Sequence, residues 1–449
     1  MFRLLLTLLA AGLSILSFPP FHWHPLALVA AIPLIAALHG TSPAKALGLG
    51  LLFGLSLFAG TLNWLAFIFG PMAVLLFVML ALFPTFFAAT LASLQKVAGT
   101  RTWLPFAVGT IWTGLEYFRS EWFTLRFPWI TPGTGLPPGY LTPFIGVYGM
   151  SFIVVTGASA LVMKRPKLGA ALLTVAALAT YLPLPKPSPQ GPTIAAVQAE
   201  MVGFGTYLEL SRQAEGSIDA FVWPEYAVTP DVRENADQVK AIQKLLADTG
   251  ARQLTLGSRT DHDDGSWNNT AVTLGLDGVL GTHDKNRPVH FFDDGEPGTE
   301  VPAFETPLGT ISTTICFDND YASIARRGTA NGAELFLIPS MDAESWSARQ
   351  HLQHAELARH RAAENGRWMV VASSSGLTQV IDPRGQRVSS LPLFDPGVLV
   401  ARVDLLSHRT IYNLVGWLIG PLCVAATAAL LVFTSVLTRR QAKAGTVAE

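Results

Sequence analysis

The chain has 449 residues, of which 50% are hydrophobic and only 14% charged, with a formal net charge of −1. A soluble protein carries roughly a quarter charged residues, so a wholly soluble chain is excluded, and near neutrality leaves no electrostatic footprint for nucleic acid or an acidic partner. The two cysteines, Cys316 and Cys423, argue against a disulfide framework in any compartment.

The apolar excess is local. Residues 1–185 are almost all apolar, 193–408 have the composition of a globular domain, and 409–438 are apolar again before a basic tail over 439–449. The N-terminus starts like a signal peptide, but Phe18-Pro-Pro-Phe21 stands where a small-residue cleavage site belongs, so it reads as an uncleaved first span. A span needs about 20 apolar residues. Candidates run over 2–18, 25–40, 46–66, 72–94, 103–118, 142–163 and 168–185, with a last one over 413–436. Gly48-Leu-Gly50 lies inside a span, where small residues serve helix packing rather than phosphate binding. With all these spans in place, Arg3, Lys45, Lys96, Arg101, Lys164, Arg165, Lys167, Arg439, Arg440 and Lys443 fall on one side, against Arg119 and Arg126 on the other. Basic loops face the cytoplasm. The termini are therefore expected inside and residues 186–412 outside, where no ATP is available and chemistry must be hydrolytic or use a pre-activated donor.

Residues 186–192 are Pro-rich and read as an extended linker. Beyond it, short apolar runs predict strands over 193–199, 219–223, 253–258, 269–275, 310–316, 334–338, 368–373, 378–382 and 397–403. Helices are predicted over 206–217, 235–249, 321–331 and 346–365. Strands mixed with amphipathic helices at this spacing predict a layered α/β domain.

Three reactive residues sit at strand ends. Cys316 closes a β-branched run from Thr310 and precedes the polar turn Phe317-Asp318-Asn319-Asp320. Glu225 follows Phe221-Val-Trp-Pro224, and Lys285 follows Gly281-Thr-His-Asp284. A thiolate is a strong nucleophile, but a free thiol is mostly protonated at neutral pH and needs a base. A buried carboxylate can take that proton, and an ammonium can stabilise an oxyanion. Glu, Lys and Cys together suffice for acyl transfer through a thioester. His351, His354 and His360 fall on one predicted helix, and the first two share a face. No carboxylate or cysteine completes a metal set there, so they read as a polar helix face, and neither metal nor cofactor is expected. Ser373-Ser-Ser-Gly376 has no nearby His–Asp pair to make a serine nucleophile.

These residues carry a resemblance to the nitrilase, or carbon–nitrogen hydrolase, superfamily. The matching stretches are Val222-Trp-Pro-Glu225, Lys285-Asn286, Pro297-Gly298, Thr306-Pro-Leu-Gly309, Ile315-Cys-Phe-Asp318 and Arg361-Ala-Ala-Glu-Asn365. The resemblance implies an α-β-β-α sandwich with Glu225 as base, Lys285 as oxyanion stabiliser and Cys316 as nucleophile. Spans, then this domain, then a final span resemble the bacterial apolipoprotein N-acyltransferase family. Phe18-Pro-Pro-Phe21, Asn63-Trp-Leu65, Trp112 with Glu116 and Arg119, Phe127-Pro-Trp129, and Pro143 with Gly146 match locally.

That resemblance implies a multi-span α-helical membrane domain plus the α/β sandwich, in a bacterial inner membrane with the catalytic domain on the periplasmic side. It implies a phospholipid acyl donor and a lipoprotein amine acceptor, with Phe127, Trp129 and Trp223 expected at the substrate or membrane entrance. The family's Val-Pro-Phe-Gly-Glu run is replaced by Val289-His-Phe-Phe-Asp-Asp-Gly-Glu296. The supporting carboxylate is thus Glu296, preferred because it keeps the Gly-Glu pair, or Asp293. Phe317 and Asp318 stand where the family has Tyr and Glu. The loops after Gln198 and between Lys285 and Cys316 are short. Two other readings stay open: a membrane-tethered amidase or nitrilase-type hydrolase, and a nitrilase-like accessory protein of conjugal transfer.

Overall fold

A computed structural model describes residues 1–99 and 101–446. The chain divides into two compact units, one of Met1–Leu182 with the segment from Val415 onward, the other of Pro183–Leu414.

Helical segments of the first unit fall over each predicted span. Among the described residues, four are long and apolar enough to cross a membrane: Pro43–Thr61, Leu65–Ala98, Thr142–Val162 and Gly416–Arg440. Phe2–Ser17, His24–Leu38 and Pro166–Tyr181 are apolar but shorter. The weakest predicted span becomes the 14-residue helix Leu104–Tyr117, which runs into a single π turn, Phe118–Trp122. The last helix runs from Ile419 to Thr446, so most of the expected tail is helical, and residues 447–449 lie outside the described residues. Of the Gly48–Gly50 pair only Gly50 makes a close approach: a Cβ there would stand 2.7 Å from the Pro84 carbonyl oxygen, whereas one at Gly48 would meet nothing within 4 Å. Close backbone contact is how helices associate where no hydrophobic driving force separates them from lipid.

The second unit contains two six-stranded sheets. The first uses β1 (Thr193–Gln198), β2 (Ala220–Val222), β3 (Gln253–Asp261), β4 (Trp267–Gly275), β5 (Gly278–Asp284) and β12 (Gly397–Arg402), in the order β12-β1-β2-β3-β4-β5. The second uses β6 (Phe304–Thr306), β7 (Gly309–Ser312), β8 (Leu335–Ser340), β9 (Trp368–Ser373), β10 (Gln379–Ile381) and β11 (Arg387–Ser390), in the order β11-β10-β9-β8-β7-β6. Central pairs β1–β2, β2–β3, β7–β8 and β8–β9 are parallel.

Side-chain alternation builds the layers. Ile194, Ala196, Ala220 and Val222 meet Ile311, Leu335, Leu337, Trp368 and Val370 between the sheets. The alternate residues Ala195, Val197, Phe221 and Leu254 pack outward under Tyr207, Leu208, Ile242 and Leu245 of helices Phe204–Arg212 and Ala236–Thr249. On the other side Phe336, Ile338, Met369 and Val371 meet Ala325, Ala358 and Ala362 of helices Ala322–Ala330 and Ala348–Asn365. This is an α-β-β-α sandwich whose central strands are buried on both faces, which is why they read as continuous apolar runs. Each fully buried aliphatic side chain contributes about 1.5–3 kcal/mol.

No strand is predicted at β5, β6 or β11, and the strand predicted before Cys316 extends too far. The ladder stops at Ser312, and residues 313–315 are extended but unpaired. Arg361 and Glu364 are fully buried and paired with each other at 3.0 Å, so the Arg361–Asn365 stretch is a structural element.

Within the first sheet, the chain at the ends of the neighbouring strands β2 and β3 is closely packed. A Cβ on Gly257 would stand 2.3 Å from Glu225 Cα and 2.6 Å from the Tyr226 nitrogen, both backbone atoms that cannot swing aside. Gly257→Ala is therefore expected to cost about 1–3 kcal/mol through overpacking. It should lower the thermal unfolding midpoint of the full chain in detergent and depress activity, because the atom displaced belongs to Glu225.

Candidate active site

The chain turns sharply at the end of three strands, and each turn delivers one reactive side chain. Glu225 leaves β2 after Pro224, its N–H donating to the Ser340 carbonyl at the end of β8 in the other sheet at 3.4 Å. Lys285 follows β5, with its N–H on the Asn269 carbonyl of β4 at 2.8 Å. Cys316 opens a short 3₁₀ turn, Cys316–Asp320, at a φ of 44°. That left-handed conformation costs a non-glycine residue of order 1–3 kcal/mol and persists only where the surroundings impose it.

Asp318 imposes much of it. It is fully buried and accepts the N–H of Asn286 at 3.0 Å, of Arg287 at 2.8 Å and of Ile315 at 3.2 Å, with His283 Nε2 at 2.9 Å. One carboxylate thus ties the end of the lysine strand to the cysteine turn. Phe317 packs edge-on against Tyr321, with ring centroids 5.2 Å apart, inside a cluster with Ala271, Ile315 and Ile324. Both residues support the cysteine, one by hydrogen bonds and one by packing.

Lys285 is 1% exposed, and its Nζ donates to Glu225 Oε1 at 2.8 Å and to Asp294 Oδ2 at 2.7 Å. The carboxylate opposite Glu225 is therefore neither Glu296 nor Asp293, both of which are exposed. The loop explains the difference. Gly295 turns back at a φ of 78°, and the Glu296 N–H is spent on the Trp267 carbonyl at 2.7 Å. Only Asp294 then points inward, where Val289 N–H and Tyr226 Oη–H donate to it at 2.7 and 2.5 Å. Asn269 Nδ2 donates to Glu225 Oε1 at 2.6 Å and to Asp294 Oδ1 at 2.9 Å. The sequence analysis missed Asp294, Asn269, Tyr226 and His283. Asn269, a polar residue inside the run Trp267–Gly275, carried a readable signal, because a buried amide needs partners.

Electrostatics assign different states to the groups. Burial lowers Lys285, but the charges of Glu225 and Asp294 outweigh it and hold the ammonium well above its ordinary range. Burial raises Asp294, yet the Lys285 charge and hydrogen bond bring it below the usual carboxylate value. Burial raises Glu225 and the Asp294 charge adds to this, against the opposing pull of Lys285. Asp294 therefore neutralises the lysine, and Glu225 is left as the carboxylate readiest to take a proton. Burial, then the Glu225 charge, push the Cys316 thiol well up, with Lys285 opposing. The resting thiol is protonated, 5% exposed, and donates to the Met341 carbonyl at 3.4 Å.

The loop from Arg287 to Gly298 is stitched at its base. Gly298 N–H donates to the Lys285 carbonyl at 2.8 Å, and Asn268 Nδ2 donates to the Glu296 carbonyl at 2.8 Å. Between these stitches Phe291 and Phe292 are 63% and 41% exposed.

Three aromatic residues expected at an entrance are placed otherwise. Trp223 is fully buried, stacked on Tyr207 at 5.3 Å, and donates Nε1–H to Ser211 Oγ at 2.8 Å, so it is core. Trp129 is buried in the helical unit between Trp64 and Phe127, with its carbonyl accepting from Arg119 Nη2 at 2.7 Å. Phe127 is half-buried against it. Nor do the helix histidines form a polar surface: His351 and His360 are 0% and 2% exposed, and His354 faces two carboxylates.

Comparison with known proteins gives the class first. Residues 193–412 match the carbon-nitrogen hydrolase family, and residues 10–160 match the apolipoprotein N-acyltransferase N-terminal domain. An apolipoprotein N-acyltransferase of Azotobacter vinelandii is 30% identical over 98% of this chain and 96% of its own length. One of Geobacter metallireducens is 28% identical over 94% of each chain. A carbon-nitrogen hydrolase of Helicobacter pylori G27 superposes with a TM-score of 0.42 at 17% identity, over 47% of this chain and 89% of its own. The chain belongs to the apolipoprotein N-acyltransferase family. With its long apolar helices, it is a bacterial membrane protein.

The charge arrangement gives a signed expectation. A base acts only when deprotonated, so acylation should fall as pH drops through the raised Glu225 value, above the ordinary value of about 4.3. Asp294→Asn removes a charge that raises Glu225 and leaves Lys285 to pair with Glu225 alone. The acidic limb of the pH–rate profile should move to lower pH and the plateau should fall, whereas Glu296→Ala and Asp293→Ala should leave both in place. An unmoved limb in Asp294→Asn refutes the assignment.

Proposed function

We propose that this protein transfers an acyl chain from a phospholipid to the N-terminal amine of a lipoprotein through a thioester on Cys316. The observation that supports it most directly is the joining of two things in one chain: a buried Glu225–Lys285–Asp294 cluster beside a strained cysteine, and full-length similarity to apolipoprotein N-acyltransferases.

In the first half-reaction Glu225 takes the Sγ proton as sulfur attacks the ester carbonyl of the donor. The oxyanion forms near the Lys285 ammonium, whose charge remains fixed because Asp294 balances it. Collapse breaks the ester C–O bond, and the departing lysophospholipid alkoxide takes the proton back from Glu225. In the second half-reaction the acceptor amine attacks the thioester carbonyl and Glu225 takes an amine proton. The C–S bond breaks, an amide is released, and the thiolate regains its proton. No ATP enters, which suits a donor resident in the bilayer. The basic loops favour an orientation with the catalytic unit outside the bacterial inner membrane.

The intact mass of purified protein after incubation with phospholipid vesicles tests the chemistry. Wild type should gain a hydroxylamine-labile acyl mass, Cys316→Ala none, and Glu225→Gln should acquire it about 10²–10⁴-fold more slowly. A diacylated lipopeptide should discharge the adduct as an amide. Discharge in buffer alone at the same rate would assign a hydrolase instead. For orientation, a reporter fused after Glu449 should read cytoplasmic and one inserted at about residue 190 external; the reverse pattern would discard that placement.

A further inference from the structure

His354 lies on the helix Ala348–Asn365 with its side chain 11% exposed, and neither role considered for it in the sequence fits its position. Its Nδ1 stands 2.8 Å from Asp342 Oδ1, and its Nε2 stands 3.3 Å from Asp320 Oδ1. The Asp342 contact is a hydrogen bond and the Asp320 contact an ion-pair approach, and a carboxylate beside each ring nitrogen favours the imidazolium. The two carboxylates belong to the two segments that hold the nucleophile. Asp320 ends the turn that opens at Cys316. Asp342 follows Met341, whose carbonyl accepts the Cys316 Sγ–H. Gln350 Nε2 at 2.8 Å and Ser373 Oγ at 3.3 Å also donate to Asp342. A small cavity lies among these groups, lined by Cys316, Asn319, Asp320, Ser340, Asp342 and His354.

We infer that His354 is a positioning residue for Cys316: its imidazolium clamps the turn 316–320 to the segment 341–342 and supplies the positive charge that offsets two aspartates beside the thiol. This rests on the reading of Cys316 as nucleophile. Burial opposes a charge on the ring, but Asp342 and then Asp320 outweigh it and hold the imidazolium well above the ordinary histidine range. In turn, although burial raises Asp342, the His354 charge and hydrogen bond bring it down to about 2. The titratable groups facing the ring are Asp342, Asp320 and Cys316, and His351, earlier on the same helix, also acts on Asp342. The sign follows from a raised histidine: the clamp is fully present below the unfolded value of about 6.5 and is lost as pH rises through the folded one.

Removing the cation leaves two uncompensated carboxylates near the sulfur, which disfavours the thiolate. The test uses the full chain in detergent as wild type, H354Q, H354L and D320N/H354Q. Iodoacetamide alkylation of Cys316 is followed by intact mass from about pH 6 to about pH 10, beside acyl-adduct formation from phospholipid vesicles. In H354Q and H354L the alkylation midpoint should move to higher pH, and the acyl adduct should form roughly 10- to 100-fold more slowly, the scale of loss that small misplacements cause. D320N/H354Q, which deletes one negative charge together with the positive one, should return the midpoint toward wild type. H354Q with a wild-type midpoint and acylation rate overturns the inference. If H354L does not fold, H354Q and the double variant decide the matter. If wild type itself forms no acyl adduct, the proposed function fails, while the alkylation midpoints still judge the clamp.

Discussion

The site depends on one buried ammonium shared by two carboxylates. Lys285 has no contact with bulk water, so its charge is tolerable only because Glu225 and Asp294 lie within hydrogen-bond distance on either side. Deleting one member of such a buried set typically costs about 3–5 kcal/mol, because an uncompensated charge is left behind. One ammonium cannot neutralise two carboxylates, and the surplus negative charge adds to burial in raising Glu225. In the proposed reaction, the general base and the fixed electrophilic cation both draw on this imbalance.

The two sheets exist, in functional terms, to hold that imbalance still. Glu225 comes from the end of a strand in one sheet and Cys316 from beyond the end of a strand in the other, and the Glu225 N–H reaches the Ser340 carbonyl across the sandwich. The sandwich core between them is made of side chains from both sheets. Interiors of this density do not deform continuously, so the separation of Glu225 and Cys316 is a property of the whole core rather than of the loops that display them.

What could be read in the sequence follows the same physics. The strands buried on both faces, such as Leu335–Ser340 and Trp368–Ser373, announce themselves as uninterrupted apolar runs. Strand β5, only partly buried and opening on Gly-Val-Leu-Gly, has no such run, nor does the polar β11. Glu225 stands at the end of an apolar run that was legible as a strand, whereas β5 before Lys285 was not predicted and the strand before Cys316 stops at Ser312. Asp294 was not legible, since which of three neighbouring carboxylates turns inward is decided by the backbone at Gly295 and not by composition. Trp223 was misread for the opposite reason: it stands two residues before Glu225, but its indole sits on the far face of the sheet, where alternation sends it.

The loop from Arg287 to Gly298 has a consequence for how such proteins can diversify. Its two feet are stitched to Asp318, Lys285 and Asn268, while its apex presents Phe291 and Phe292 to the outside. Residues at the apex bear no part of the charge balance at Lys285. Side chains at the apex can therefore vary without touching that charge balance, whereas the length of the apex is held by the Val289 N–H on Asp294. One segment of a dozen residues thus combines side chains free to change with a backbone path that is not.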